Sequence, residues 1–189
     1  NVTIDFALDG EVTVSPTSLF FTTANWNTAQ TVTVTAVNDS IDEAITHTST
    51  ITHSATSGDS NYDSGAAFSP GNTVTAFITD NDVAGVALTE TGPSTAVEEG
   101  GLTDSYSIVL TSEPTADVTI TVTTDGLQLA ATSPLTFTSA NWNTAQTVTV
   151  TAVDDNIDEA DPHTSMIDHS AASADTLYDG VAVTFSPAS

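Results

Sequence analysis

The stretch Asn25-Trp-Asn-Thr-Ala-Gln-Thr-Val-Thr-Val-Thr-Ala-Val37 returns without a change as Asn141 to Val153. Its second half alternates Thr with Val, the period-two pattern of a strand that buries one face. The offset is 116 residues, and at that offset residues 1–67 align with 117–183 without a gap, 39 of the 67 positions being identical. A match of that density is an internal repeat. Its period suits a β-sandwich domain of ~100 residues and is too long for a small solenoid unit.

Working outward from the repeated stretch, the second copy reads as strands over Val86–Glu90, Ser105–Thr111, Val118–Thr123, Leu135–Thr138, Gln146–Val153, Thr164–His169 and Val181–Phe185. A closing strand is visible only in the first copy, as Thr73–Thr79. Gly, Pro, Asn and Asp punctuate the gaps, at Gly92-Pro93, Glu99-Gly100-Gly101, Asp125-Gly126 and Asp154-Asp155-Asn156. The expected organisation is two tandem antiparallel sandwiches cut out of phase. Residues 1–83 form a repeat lacking its amino-terminal third, and residues 84–189 form a repeat lacking its last strand. Either further repeats flank this segment, or neighbouring chains supply the missing strands.

Charge narrows the partners. Among 189 residues there is no Lys and no Arg, against 25 Asp plus Glu, for a formal net charge of −25. Such a surface is unsuited to nucleic acid and to anionic membranes, and no run is apolar enough to insert in a bilayer as a helix. Schiff-base and P-loop chemistry both need a lysine that is absent. Cysteine is absent as well, so no disulfide supports the fold. Acids that converge here have no basic side chain to meet, and must stay solvated, take up protons or hold metal.

Three stretches give the repeat its likeness to a known family. One is Val97-Glu-Glu-Gly-Gly101, followed by Asp104-Ser-Tyr-Ser-Ile-Val-Leu110. Another is Thr147-Val-Thr-Val-Thr-Ala-Val-Asp-Asp-Asn-Ile-Asp-Glu159, a strand running into an acidic loop. The third is Phe77-Ile-Thr-Asp-Asn-Asp82, after which Val83-Ala-Gly-Val86 begins the next unit. In this order and spacing they resemble the Calx-β family, and more closely the Calx-β-like repeats of very large bacterial surface proteins. The resemblance implies tandem immunoglobulin-like sandwiches, an extracellular or cell-surface location, and Ca²⁺ bound at one end of each unit. Carried over by position, the implied ligands are Glu98, Glu99, Asp154, Asp155, Asp158 and Glu159 in the second copy. In the first they are Asp39, Asp42, Glu43, Asp80 and Asp82. Asp80 and Asp82 lie on the linker, where an ion is expected to stiffen the joint.

The acidic loop also points to Ca²⁺ by its own chemistry, since Asp154-Asp155-Asn156-Ile157-Asp158-Glu159 supplies several oxygens within one turn. The histidines occur as His47 with His53 and His163 with His169. Six residues apart on an extended strand is about 20 Å, too far for one ion, so they read as ordinary surface or half-buried side chains. Trp26 and Trp142, just ahead of the longest strand, read as core plugs or edge covers. No Gly-x-Ser-x-Gly elbow is present, and acid pairs copied in each repeat read as architecture rather than a glycosidase pair. The expected function is therefore non-enzymatic: a structural module of an extracellular fibre, stalk or adhesin, with neighbouring repeats or identical subunits as partners. A short subunit that polymerises by strand complementation is one alternative, and an adhesin module that binds surface glycans is another.

Overall fold

The computed structural model describes residues 1–63, 68, 71–160 and 162–185. All of its regular structure is β: β1 (Val2–Ala7), β2 (Val12–Ser15), β3 (Ser18–Phe21), β4 (Thr33–Ala36), β5 (Thr46–Ser57), β6 (Thr73–Thr79), β7 (Val86–Glu90), β8 (Asp104–Leu110), β9 (Val118–Thr124), β10 (Leu129–Ala131), β11 (Leu135–Phe137), β12 (Gln146–Ala152), β13 (Ile167–Ser173) and β14 (Val183–Phe185). Among the described residues no helix is long and apolar enough to cross a membrane. The chain divides into two units. One comprises Asn1–Asp39 and Glu43–Asp80, the other Ser40–Asp42 and Asn81–Ser189.

The second unit carries a five-stranded sheet, β10-β12-β8-β7-β14, and a three-stranded sheet, β11-β9-β13. Alternation decides which side chains face inward. Val118, Ile120 and Val122 of β9, Tyr106, Ile108 and Leu110 of β8, and Val148 and Val150 of β12 join one buried cluster with Phe137 and Tyr178. Strands of both sheets feed this single core, which makes the unit sandwich-like. The intervening Thr side chains of β9 and β12 point outward. Each fully buried Val or Ile contributes about 1.5–3 kcal/mol relative to exposure, so this core is the main source of the unit's stability.

The first unit repeats part of this plan. β1 pairs with β3 and β5 as β9 pairs with β11 and β13, and β2 pairs with β4 as β10 pairs with β12. β6 adds to β5 antiparallel. The core is smaller, with Val12, Ile51 and Ile78 buried against Phe6, Val14 and Ala76. No described strand of the unit lies beside β4 as β8 lies beside β12, so Val34 is 40% exposed where Val150 is fully buried. The same difference corrects the reading of the tryptophans. Trp142 packs against the core and its carbonyl accepts the Leu110 N–H at 3.1 Å, whereas Trp26 is 70% exposed.

The repeated stretch itself is a turn clamp. Asn25 Oδ1 accepts the N–H and the hydroxyl of Thr22, at 2.5 and 3.0 Å, while Asn25 and Gln30 amides donate to Phe20 O. Asn141, Thr138, Gln146 and Thr136 reproduce every one of these bonds. Two other differences from the expected strands are local. β13 starts at Ile167 rather than Thr164, because its pairing with β9 ends at Ile167 opposite Thr124, whereas β5 of the first unit is carried back to Thr46 by its pairing with β6. β14 pairs parallel with β7 rather than antiparallel, since the chain crosses from β13 in one sheet to the edge of the other.

Candidate metal centre

In the first unit the site begins at the turn Asp9-Gly10-Glu11. Gly10 has a φ of 119°, a conformation that favours glycine. Asp9 ties the turn to β5: its Oδ1 accepts the Ser49 hydroxyl at 2.6 Å and its Oδ2 the Thr50 N–H at 3.0 Å. These bonds, with that of Ser49 first among them, hold the Asp9 carboxyl below its ordinary value. Glu11 follows at the mouth of β2, its carbonyl accepting the Val37 N–H at 2.9 Å. Glu43 sits in the loop before β5, its N–H donating to Asp80 Oδ2 at 3.0 Å. His47 is the second residue of β5.

The three side chains converge. His47 Nε2 lies 3.2 Å from Glu43 Oε2 and 3.5 Å from Glu11 Oε2, and one donor atom from each residue falls within 4.8 Å of the others. The His47 side chain is 20% exposed. Both of its ring nitrogens are buried, and neither makes a hydrogen bond. Burial pushes the Glu43 carboxyl above its ordinary value. His47 opposes the rise, while the negative charges of Glu11, Asp39 and Asp80 add to it. Two carboxylates and an imidazole in this arrangement are a donor set for a divalent metal ion.

The second unit builds the same place differently. Asp125 anchors its turn by accepting the Ser165 hydroxyl at 2.7 Å, as Asp9 does with Ser49. The carbonyl that accepts the Val153 N–H, at 2.9 Å, belongs to Gln128. Val153 corresponds to Val37, so Gln128 stands where Glu11 stands, although a constant offset of 116 puts Leu127 there. The turn has slipped by one residue. The Gln128 amide N–H donates to Glu159 Oε1 at 2.5 Å, and its Oε1 lies 2.7 Å from His163 Nε2. His163 Nδ1 faces Ala160 O at 3.0 Å, and Glu159 Oε2 is 3.3 Å from His163 Nε2. A neutral amide thus clasps the Glu–His pair. A cleft of about 730 Å³ opens beside it, lined in part by Glu98, Glu99 and Thr95. Burial raises the Glu99 carboxyl above its ordinary value, Glu159, Asp155 and Asp154 raise it further, and His163 opposes them.

Of the residues implied by the family resemblance, only Glu43 belongs to the three-donor cluster. Asp39 adds charge near it, and Asp80 braces its backbone. Asp80 is thereby engaged inside the first unit, and Asp82 is half-buried in the segment between β6 and β7. Asp42 Oδ2 accepts the Ala84 N–H at 2.6 Å, both residues belonging to the second unit. Glu98 and Asp154 lie against the Gly100-Gly101 turn: a Cβ on Gly101 would be 3.1 Å from Glu98 Oε2, and one on Gly100 would be 3.7 Å from Asp154 Oδ1. Asp155 Oδ1 caps the Ile157 N–H at 2.6 Å, and Asp158 is exposed. Sequence reasoning missed Glu11 and His47. The available signal was Glu-x-x-x-His, present as Glu43 to His47 and again as Glu159 to His163. The partner of each of these histidines is this glutamate, not the second histidine six residues on.

No protein-family model matches the chain, and no curated protein matches it.

Proposed function

We propose that the chain is a non-catalytic structural module of an extracellular fibre, stalk or large adhesin, built from Calx-β-like repeats and stiffened by Ca²⁺ at its acidic loops. The observation that carries this reading is the crowding of carboxylates at the loops of an all-β repeat. Burial raises Glu99 and Glu43, and the charges of Glu159, Asp155 and Asp154 on the one and of Glu11, Asp39 and Asp80 on the other raise them further, in a chain with no Lys or Arg to offset them. Ca²⁺ takes six to eight oxygens from carboxylates and carbonyls, and the cleft lined by Glu98 and Glu99 offers such oxygens. A bound ion stabilises the folded chain by mass action. Millimolar Ca²⁺ should raise the melting temperature above that in EGTA, and Asp154→Asn with Asp155→Asn should reduce the difference. Equal melting temperatures with and without Ca²⁺ would sink the reading.

A second reading, recognition of surface glycans, is favoured by one observation. A groove of about 450 Å³ in the first unit is lined by Phe21, Tyr62 and the exposed Trp26, and aromatic ring faces suit the apolar faces of sugars. Glycan-array binding that disappears in Trp26→Ala would support it. Binding unchanged by that substitution would remove it.

A further inference from the structure

We propose that Glu11, Glu43 and His47 bind a single first-row transition dication of the Zn²⁺ type, and that the corresponding place in the second unit binds none because Gln128 stands there in place of Glu11. The inference goes beyond the Ca²⁺ reading and does not depend on it, because the two ions want different ligands.

The choice of ion follows from the donors. Ca²⁺ is held by oxygen at 2.3–2.6 Å, whereas imidazole with carboxylate suits Zn²⁺ and its neighbours. A tetrahedral ion with bonds of about 2.0–2.1 Å separates its donors by about 3.3 Å. The two contacts of His47 Nε2, at 3.2 and 3.5 Å, bracket that value, and the two glutamate donors lie within 4.8 Å of each other. Three protein donors leave the fourth position to water, the pattern of an open zinc site.

The internal repeat supplies the independent observation. His47 and His163 occupy equivalent positions, each four residues after its glutamate. Both ring nitrogens of His163 meet an oxygen in hydrogen-bonding geometry, Ala160 O and Gln128 Oε1, whereas the carboxylate contacts of His47 do not have that geometry. His47 has both ring nitrogens buried and neither hydrogen-bonded, and buried polar atoms in folded proteins are rarely left so. The exchange that separates the two places is Glu for Gln. An amide can donate to Glu159 and accept from His163 at once. A carboxylate at the same place has no N–H for Glu43 and adds a second negative charge beside it. A dication satisfies both carboxylates and the imidazole lone pair.

The test is a Zn²⁺ titration of the full chain by calorimetry, in millimolar Ca²⁺ so that all-oxygen sites are occupied. The wild type should bind one Zn²⁺. Glu11→Gln should bind at least tenfold more weakly, while keeping its far-UV spectrum, because it recreates a clasp the same chain already folds around. His163→Ala should still bind one. Gln128→Glu should bind two, since it gives the second unit the donor set of the first. A wild type that binds no Zn²⁺, or a Glu11→Gln variant that binds it as tightly as the wild type, overturns the proposal. Neither result bears on Ca²⁺-dependent melting, so failure of this site and failure of the Ca²⁺ reading are told apart.

Discussion

The Tyr106 hydroxyl lies 2.7 Å from His169 Nε2, and the two rings meet edge to face with centroids 5.5 Å apart. Burial holds the His169 imidazole below its ordinary value, with Asp168 opposing, and pushes the Tyr106 hydroxyl up to about 12. A neutral imidazole accepting the tyrosine O–H fits both shifts. Because the folded pKa is depressed below 6.5, the unfolded chain takes up the proton first. The contribution to stability is fully present above pH 6.5 and is lost as pH falls through the folded value. The melting temperature should fall on moving from about pH 7 to about pH 5. His169→Phe should flatten that slope relative to the wild type, and thermal melts across the range measure it. A slope unchanged in the variant would show that His169 does not set it.

Asp125 governs a more acidic window. Its carboxylate accepts the Ser165 hydroxyl and the N–H groups of Gln128, Leu127 and Leu129. These bonds, led by that from Ser165, hold it down at about 2, against an ordinary value of 3.8. A depressed carboxyl stabilises the fold above the unfolded value and loses its effect as pH falls through the folded one. Asp125→Asn should lower the melting temperature at neutral pH and weaken its fall between about pH 4 and pH 2. Parallel melts of variant and wild type check both. Ser165→Ala should act in the same direction, since it removes the hydroxyl that contributes most.

The identical stretch makes a symmetric prediction. Asn141 Oδ1 accepts the Thr138 N–H at 2.6 Å, and its amide reaches Thr136 O at 3.3 Å. Asn141→Ala removes both bonds and should cost about 1–2 kcal/mol in denaturant unfolding. Asn25→Ala breaks the matching clamp of the first unit and should destabilise that unit to a similar degree. Hydrogen exchange resolved by residue separates the two units. A loss of protection confined to the unit that carries the substitution is expected.

What could be read from sequence depended on whether the information was local. The Thr–Val alternation of β12 specifies a strand within a dozen residues, and the strand forms over Gln146–Ala152, whereas the Asn141 clamp ahead of it shows only in the folded chain. The exposure of Trp26 was not legible, because whether a tryptophan is covered depends on a strand such as β8, which lies beside β12 and has no counterpart beside β4 among the described residues. The equivalence of Glu11 and Gln128 was hidden for a different reason. Glycine turns tolerate a one-residue slip, and ungapped comparison pairs Glu11 with Leu127. His47 was passed over because its distance to His53 was judged along an extended strand. Its actual neighbours arrive from the loop at Glu43 and the turn at Glu11, and only the folded chain brings these together. The acids carried over from the family resemblance are spread between capping, bracing and solvated roles, which a list of carboxylates does not distinguish.

Tyr178 and Tyr62 give the sharpest contrast between the units. Tyr178 is 1% exposed. Its hydroxyl donates to Ser112 O at 2.7 Å and accepts the Ser112 N–H at 3.1 Å, with the Ser112 hydroxyl at 2.8 Å. Ser112 is fully buried, so Tyr178→Phe leaves its N–H and C=O in an apolar interior without that partner. Each such group costs about 1–3 kcal/mol, and the substitution should destabilise the second unit by about 2–4 kcal/mol. Tyr62 occupies the equivalent position in the first unit and is 49% exposed. Its hydroxyl has water as an alternative partner, and Tyr62→Phe should change stability by less than about 0.5 kcal/mol. Urea unfolding of the two variants measures the difference. Equal effects would mean that the Ser112 bonds are not what holds this corner. A large effect in Tyr178→Phe alone would show that the same letter of the repeat is structural in one copy and dispensable in the other, because among the described residues the β8–β9 connection that the hydroxyl closes belongs to the second unit.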